Sequence, residues 1–327
     1  MFAPRILRSA ALFTVVSLAL GACKPKDAAT DESGTDPYVD EGPLQFSPIV
    51  QYDNFPFQNF PVTYYIPPDP VAVVWLFHGS NGSVAFAKKI ETIATTNELV
   101  VEGFGFIATE STDRASGKWD NNDSNPSTNE DLARLLALRD EIIATTDMTE
   151  DTPQYGIGFS GGGAMSTHFL TVLRDLDMPY RASHPNCSSG RGDSAGDIPI
   201  IWTIAVNDPQ PSAESDYASR VSSGLPSELN FAQEVPIDPM YFTKNPSVGE
   251  SASQKTYDEM VRLGMIDVDG NRIVPDSDLE NWISTFEREA NVASPTLRSE
   301  EIRVAWAMHR MNGTYAREVR DFFLDHL

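Results

Sequence analysis

Cysteine is almost absent. Two are present in 327 residues, Cys23 and Cys187, and Cys23 closes an export-like leader, so the two are not read as a structural disulfide. Cys187 is then a lone thiol, read as a small buried apolar residue rather than a nucleophile. Positive charge is also short: 24 Lys and Arg face 47 Asp and Glu, for a formal net charge of −23. Such a charge repels nucleic-acid phosphates and anionic lipid headgroups, so no nucleic-acid partner is expected. The apolar run Ala10–Leu20 is too short to span a membrane comfortably. No internal repeat stands out. Asp267, Asp269 and Asn271 have the opening spacing of a calcium loop, but Arg272 stands where glycine is needed. No metal and no cofactor are expected. What the chain does have is 41% hydrophobic and 10% aromatic content, ample for a large core. Its 22% charged content argues against global disorder.

The N-terminus reads as an address. Arg5 and Arg8 precede the apolar run, and Leu20-Gly21-Ala22-Cys23 follows it. This resembles a bacterial lipobox, which implies removal of residues 1–22 as a signal peptide and lipidation of Cys23; an ordinary cleaved signal and an uncleaved anchor are the alternatives. Residues 23–43 are acidic and rich in Thr, Gly and Pro, and read as a flexible tether. The folded domain is expected over 44–327, held at the cell envelope through the lipid alone.

Strands and helices alternate from there. Pro61–Ile66, Val71–Phe77, Gly103–Ala108, Tyr155–Phe159, Ala182–Cys187, Ile198–Val206 and Glu301–Met308 read as strands. The unbroken apolar run to Phe77 suits a strand buried on both faces of a parallel sheet. Helices are expected after Ser83, after a capping box of Ser127 and Glu130, after Ser160 (with Met165, Phe169, Val172 and Leu173 on one face), and at the C-terminus (with Tyr315, Val319, Phe322, Phe323 and Leu327). The expected class is α/β, a mostly parallel sheet with helices on both faces, with ligands at the carboxyl ends of the strands.

The stretch that organises the rest is Gly158-Phe159-Ser160-Gly161-Gly162. Its G-x-S-x-G spacing matches a nucleophile elbow, where a serine on a sharp strand-to-helix turn stands clear of the backbone. A serine hydroxyl needs a base within hydrogen-bond reach, and the base needs an orienting carboxylate. The order expected on this architecture is Ser, then Asp or Glu, then His. Asp208 follows the strand Ile198–Val206, with Glu214 and Asp216 as rivals. Among five histidines, His309 alone has the right order and context. His78 lies in the loop after the first apolar strand, His168 inside the elbow helix, His184 too early, and His326 in the terminal helix. Gly161 N–H and Ser80 N–H are the expected donors to a developing oxyanion.

Phe77-His78-Gly79-Ser80, the Ser160 elbow, the Asp208 strand and the late His309 resemble the α/β-hydrolase superfamily, and within it the group of polyhydroxybutyrate depolymerases and feruloyl esterases. The resemblance covers roughly 62–209 and 301–327. It implies hydrolysis of a small or polymeric ester through a serine acyl-enzyme, with no cofactor. A serine peptidase on the same fold and a non-catalytic surface binding protein are the competing readings. The chain departs from the family in the long separation of Asp208 and His309. Residues 210–299 read as a cap-like insertion over the site, with helices at Ser253–Leu263 and Asp278–Ala290 and a hairpin at Met265–Val274 turning on Asp269-Gly270 as a type I′ turn.

Overall fold

A computed structural model describes residues 41–327; the expected signal, Cys23 and most of the tether lie outside the described residues. One folded unit spans Leu44–Leu327. Its frame is an eight-stranded sheet: β1 (Asp53–Phe57), β2 (Phe60–Tyr65), β3 (Ala72–Phe77), β4 (Phe104–Ala108), β5 (Gln154–Phe159), β6 (Ser183–Asn186), β7 (Ile200–Ala205) and β8 (Ser227–Ala232). The spatial order is β1-β2-β4-β3-β5-β6-β7-β8. β2 runs antiparallel to both β1 and β4, and every other pairing is parallel.

Alternation along each strand sorts the core into two layers. Trp75 and Phe77 face one side of the sheet. There they pack with Leu135 and Leu138 of α2 (Glu130–Thr145) and with Met165 and Phe169 of α3 (Gly161–Asp175). Val74 and Leu76 face the other side, with Leu99 of α1 (Ile90–Val100) and with Val319, Phe322 and Phe323 of α8 (Ala316–Leu324). Tyr155 OH ties that last helix down by donating to the carbonyls of Phe323 (2.9 Å) and His326 (3.0 Å).

Several expectations change. Glu301–Met308 is not a strand; its first half ends α7 (Pro295–Ala305). Ile302, Val304, Trp306 and Met308 alternate and so imitate a strand. Yet Arg298, Ile302 and Ala305 are buried together, at helical spacing, and Pro295 opens the helix where its missing N–H is harmless. The last strand is β8, inside the span read as insertion, so 210–299 is not all cap. Its first part, α4 (Pro211–Ser222) and β8, completes the sheet. The remainder, α5 (Glu250–Arg262), α6 (Leu279–Glu289) and α7, builds a separate core around Phe242, Met260, Phe286, Ile302 and Trp306.

Smaller corrections concern turns and caps. Asn129, not Ser127, caps α2, its side chain accepting from Leu132 N–H at 3.1 Å. Ser83 caps a 3-10 turn (Val84–Lys88) ahead of α1. The turn at Asp269-Gly270 is not type I′, because only Gly270 has positive φ (82°). The Asp267 carboxylate closes it, accepting from the N–H groups of Asp269 and Asn271 at 2.9 Å each. Leu327 is exposed rather than on the inner face of α8. Among the described residues no helix is long and apolar enough to cross a membrane.

Candidate active site

β5 drives straight into the elbow. Ser160 holds φ 54° and ψ −122°, a strained conformation for a side-chain-bearing residue, and Gly161 starts α3 at once. The flanking glycines make that contact sterically open. A Cβ on Gly158 would lie 2.0 Å from the Gly162 carbonyl oxygen, and one on Gly162 would lie 2.1 Å from that of Phe77. Ser160 N–H is fixed by the Asn186 carbonyl at 2.9 Å, so β6 also sets the turn.

The base arrives from the other end of the chain. Beyond α7, Ala307 turns with φ 45° and Met308 is buried, which leaves His309 over the sheet edge. Its Nε2 lies 2.9 Å from Ser160 Oγ and its Nδ1 2.6 Å from Asp208 Oδ2. The imidazole packs against the Phe159 ring, 4.9 Å between centroids. Arg310 steadies the same loop. It donates to the His309 carbonyl at 2.6 Å and grips both oxygens of Glu300, at 2.8 and 3.1 Å.

Asp208 sits one turn past β7. Its N–H returns to the Ala205 carbonyl at 2.9 Å, and Gln210 Nε2 donates to Oδ2 at 3.2 Å. The preceding residue joins acid to base: Asn207 N–H donates to the Ala307 carbonyl (3.0 Å) and Asn207 Nδ2 to that of Trp306 (2.8 Å). The rivals Glu214 and Asp216 lie on α4 and do not meet His309. With Nδ1–H donating to Asp208, Nε2 presents its lone pair to the Ser160 hydroxyl.

The expected donor pair also converges. A side chain on Gly161 would begin 3.9 Å from Ser80 N and 3.2 Å from Ser80 Oγ. Neither Ser80 N–H nor Gly161 N–H finds an acceptor among the described residues, so both are available to a ligand oxygen. The other four histidines stay out of this line. His168 Nε2 meets the Asp123 carbonyl (3.1 Å), His184 Nε2 meets Thr203 Oγ1 (3.0 Å), and His326 Nδ1 meets the Phe322 carbonyl (2.7 Å). His78 packs behind the donor loop.

Sequence reasoning assigned no role to Asn207, Arg310 or Cys187 near this site. Arg310 adjoins His309 in the chain, the one signal that could have flagged it. The Cys187 thiol donates to the Arg310 carbonyl at 3.3 Å and lies within 4.8 Å of the donor atoms of both Asp208 and His309. Burial, and then the charge of Asp208, push it up to about 12. The sulfur stays protonated at neutral pH, and His309 and Asp208 are already bonded to each other, so these three side chains do not make a ready metal cage.

A cavity of about 780 Å³ opens on the donor side of Ser160. Its lining includes Gly79, Ser80, Phe159, Phe86, Leu297 and Val304, and Arg310 next to His309, but neither Ser160 nor His309. Glu301 lies in its wall with Asn245 Nδ2 on one oxygen (2.9 Å), and burial pushes its carboxyl above the usual range.

One sheet order, an elbow after β5, an acid after β7 and a histidine after the last strand decide the architecture. The chain has the α/β-hydrolase fold. No family model matches this hydrolase-fold chain, and no curated protein matches it. Among solved structures it is similar to an arylesterase, at 14% identity and a TM-score of 0.42 over 57% of this chain and 77% of that one. It is similar also to an esterase/lipase from an uncultured bacterium (12%, 0.40, 65% and 85%) and to an acylaminoacyl peptidase of Pyrococcus horikoshii (14%, 0.41, 57% and 37%). Likeness at these scores carries no argument about activity; the side-chain geometry has to carry it.

Proposed function

We propose that the chain is a serine hydrolase that cleaves carboxylic esters through an acyl-enzyme. The observation that carries this is the unbroken line Ser160 Oγ, His309 Nε2, His309 Nδ1, Asp208 Oδ2, with contacts of 2.9 and 2.6 Å. His309 takes the Ser160 proton as Oγ attacks the ester carbonyl carbon. Asp208 holds the imidazole and stabilises the imidazolium that forms. The carbonyl oxygen gathers charge between Ser80 N–H and Gly161 N–H. His309 then passes the proton to the alkoxide, which leaves as the alcohol. Water, losing a proton to His309, attacks the acyl carbon; the carboxylic acid departs and Ser160 regains its proton.

The ester's larger group occupies the cavity beside Ser80. Its volume suits a medium-sized acyl or aryl group, as in feruloyl esters or the repeat of a polyester. The lipobox-like Leu20–Cys23 supports a lipid-anchored enzyme of the bacterial cell envelope, with ester substrates reached outside the cytoplasm.

The test is fluorophosphonate labelling of residues 44–327 with peptide mapping, beside hydrolysis of p-nitrophenyl esters and matched amides. Label on Ser160 that is lost in His309→Ala, with esters cleaved and amides spared, is expected. Amide cleavage would make it a peptidase. No label and no turnover would make it a binding protein.

A further inference from the structure

On α7, one buried cation makes no hydrogen bond through its side chain. Arg298 is 5% exposed. Its Nε and Nη1 are sealed from solvent and meet no acceptor. Nη2 meets none either among the described residues, and it alone of the three nitrogens stays open to solvent. The counter-charge is Glu301, whose Oε1 stands 3.8 Å from Nη1, an ion pair too long for a hydrogen bond. That oxygen already accepts from Asn245 Nδ2 at 2.9 Å, and burial favours the neutral form of the carboxyl. A guanidinium stays charged in proteins, and a buried charge is costly unless its N–H groups are met. No group of the described chain meets these, so a ligand oxygen is the partner that fits.

Arg298 lines a cavity of about 440 Å³ that shares no lining residue with the one beside Ser80. The start of α5 forms another part of its wall. Gly249 caps that helix with extended backbone and no side chain, and a Cβ there would meet nothing within 4 Å. The first-turn N–H groups of Glu250 and Ser251 have no acceptor among the described residues. Ser251 and Lys255 line the cavity, and Lys255 forms no ion pair among the described residues. Glu250 is exposed and does not line it. The aligned peptides of a 13-residue helix favour negative charge at this end. Ala252, Val292 and Ala293 give the same cavity an apolar wall.

We propose that this cavity binds a small organic carboxylate. The charged end meets Arg298 Nη2, Lys255 and the N–H of Ser251. A short apolar tail lies along Ala252, Val292 and Ala293. That wall favours a carboxylate over inorganic phosphate, which is polar on every side and gains nothing from apolar neighbours. The site stands whether or not Ser160 cleaves esters.

The probe is butyrate, titrated into the whole protein beside butyramide and inorganic phosphate, with amide ¹H–¹⁵N shifts as the readout. The amides of Ser251, Ala252, Val292 and Ala293 should move and saturate in the millimolar range. Butyramide has the same shape without the charge and should bind there about tenfold more weakly or worse; phosphate should also bind more weakly than butyrate. Arg298→Met keeps the aliphatic stem and removes the charge. It should weaken butyrate about tenfold or more, and its thermal midpoint should match or exceed that of wild type, because an unmet buried charge is gone. Lys255→Glu changes an exposed position, so it decides the matter even if Arg298→Met fails to fold. It too should weaken butyrate about tenfold or more. Shifts confined to the surroundings of Ser80 would overturn the proposal. So would butyramide binding as well as butyrate, phosphate binding more tightly, or butyrate affinity unchanged in the variants that fold.

Discussion

At the scale of single residues, the acid is the sharpest test of the relay. Asp208→Asn keeps size and hydrogen bonding, but its amide can donate to Nδ1 and so favours the wrong tautomer of His309. Turnover of a p-nitrophenyl ester should fall by about 10⁴, with KM nearly unchanged in steady-state kinetics. Histidines outside the relay govern acid stability instead. Burial pushes His184 down to about 3 from its ordinary 6.5, and it lowers His78 and His168 as well. All three are neutral in the fold, so the unfolded chain binds more protons once pH drops below their ordinary value. Their stabilisation is complete above that value and is lost as pH falls toward the folded one. Unfolding free energies from urea titrations between about pH 8 and about pH 4 should decline, by up to about 1.4 kcal/mol per pH unit for each such group; His184→Asn should flatten the slope.

At the scale of elements, the elbow depends on backbone proximity more than on the serine. Gly158→Ala and Gly162→Ala drive a methyl into carbonyl oxygens 2.0 and 2.1 Å away, which cannot yield without parting strand from helix. Each should cost about 3 kcal/mol or more in chemical denaturation. Gly161→Ala meets only Ser80, its Oγ at 3.2 Å and its N at an ordinary 3.9 Å. It should leave stability within about 1 kcal/mol of wild type and lower kcat instead. The same scale shows what could be read in advance. β3, β4 and β7 are buried along their whole length, so their apolar runs were plain. β8, Ser-Glu-Leu-Asn-Phe-Ala, is an edge strand only half covered, and its mixed polarity resembles a loop. Strand-like alternation in 301–308 hid a helix whose buried charges are paired: Arg303 meets Glu280 at 2.8 Å, and Arg298 lies 3.8 Å from Glu301. The meeting of Ser160, His309 and Asp208 was legible because this architecture prescribes their order along the chain. Asn207 was not, because what it does depends on carbonyls that only the folded backbone places.

For the molecule as a whole, the segment after β8 sets the room available beside the elbow. Val304 and Leu297 of α7 wall the cavity, as does Phe86 from the 3-10 turn ahead of α1. Val304→Trp should fill it, cutting kcat/KM for long-chain p-nitrophenyl esters about tenfold or more while sparing the acetate, in a chain-length series. That wall and the histidine occupy one stretch of backbone. α7 ends four residues before His309, and Glu300 on the helix clasps Arg310 beside it. A wider berth for bulkier guests therefore cannot be cut into α7 without shifting the imidazole. Anyone re-tailoring this protein for a new ester should carve from the Phe86 side, where selectivity can drift and the proton's landing place stays put.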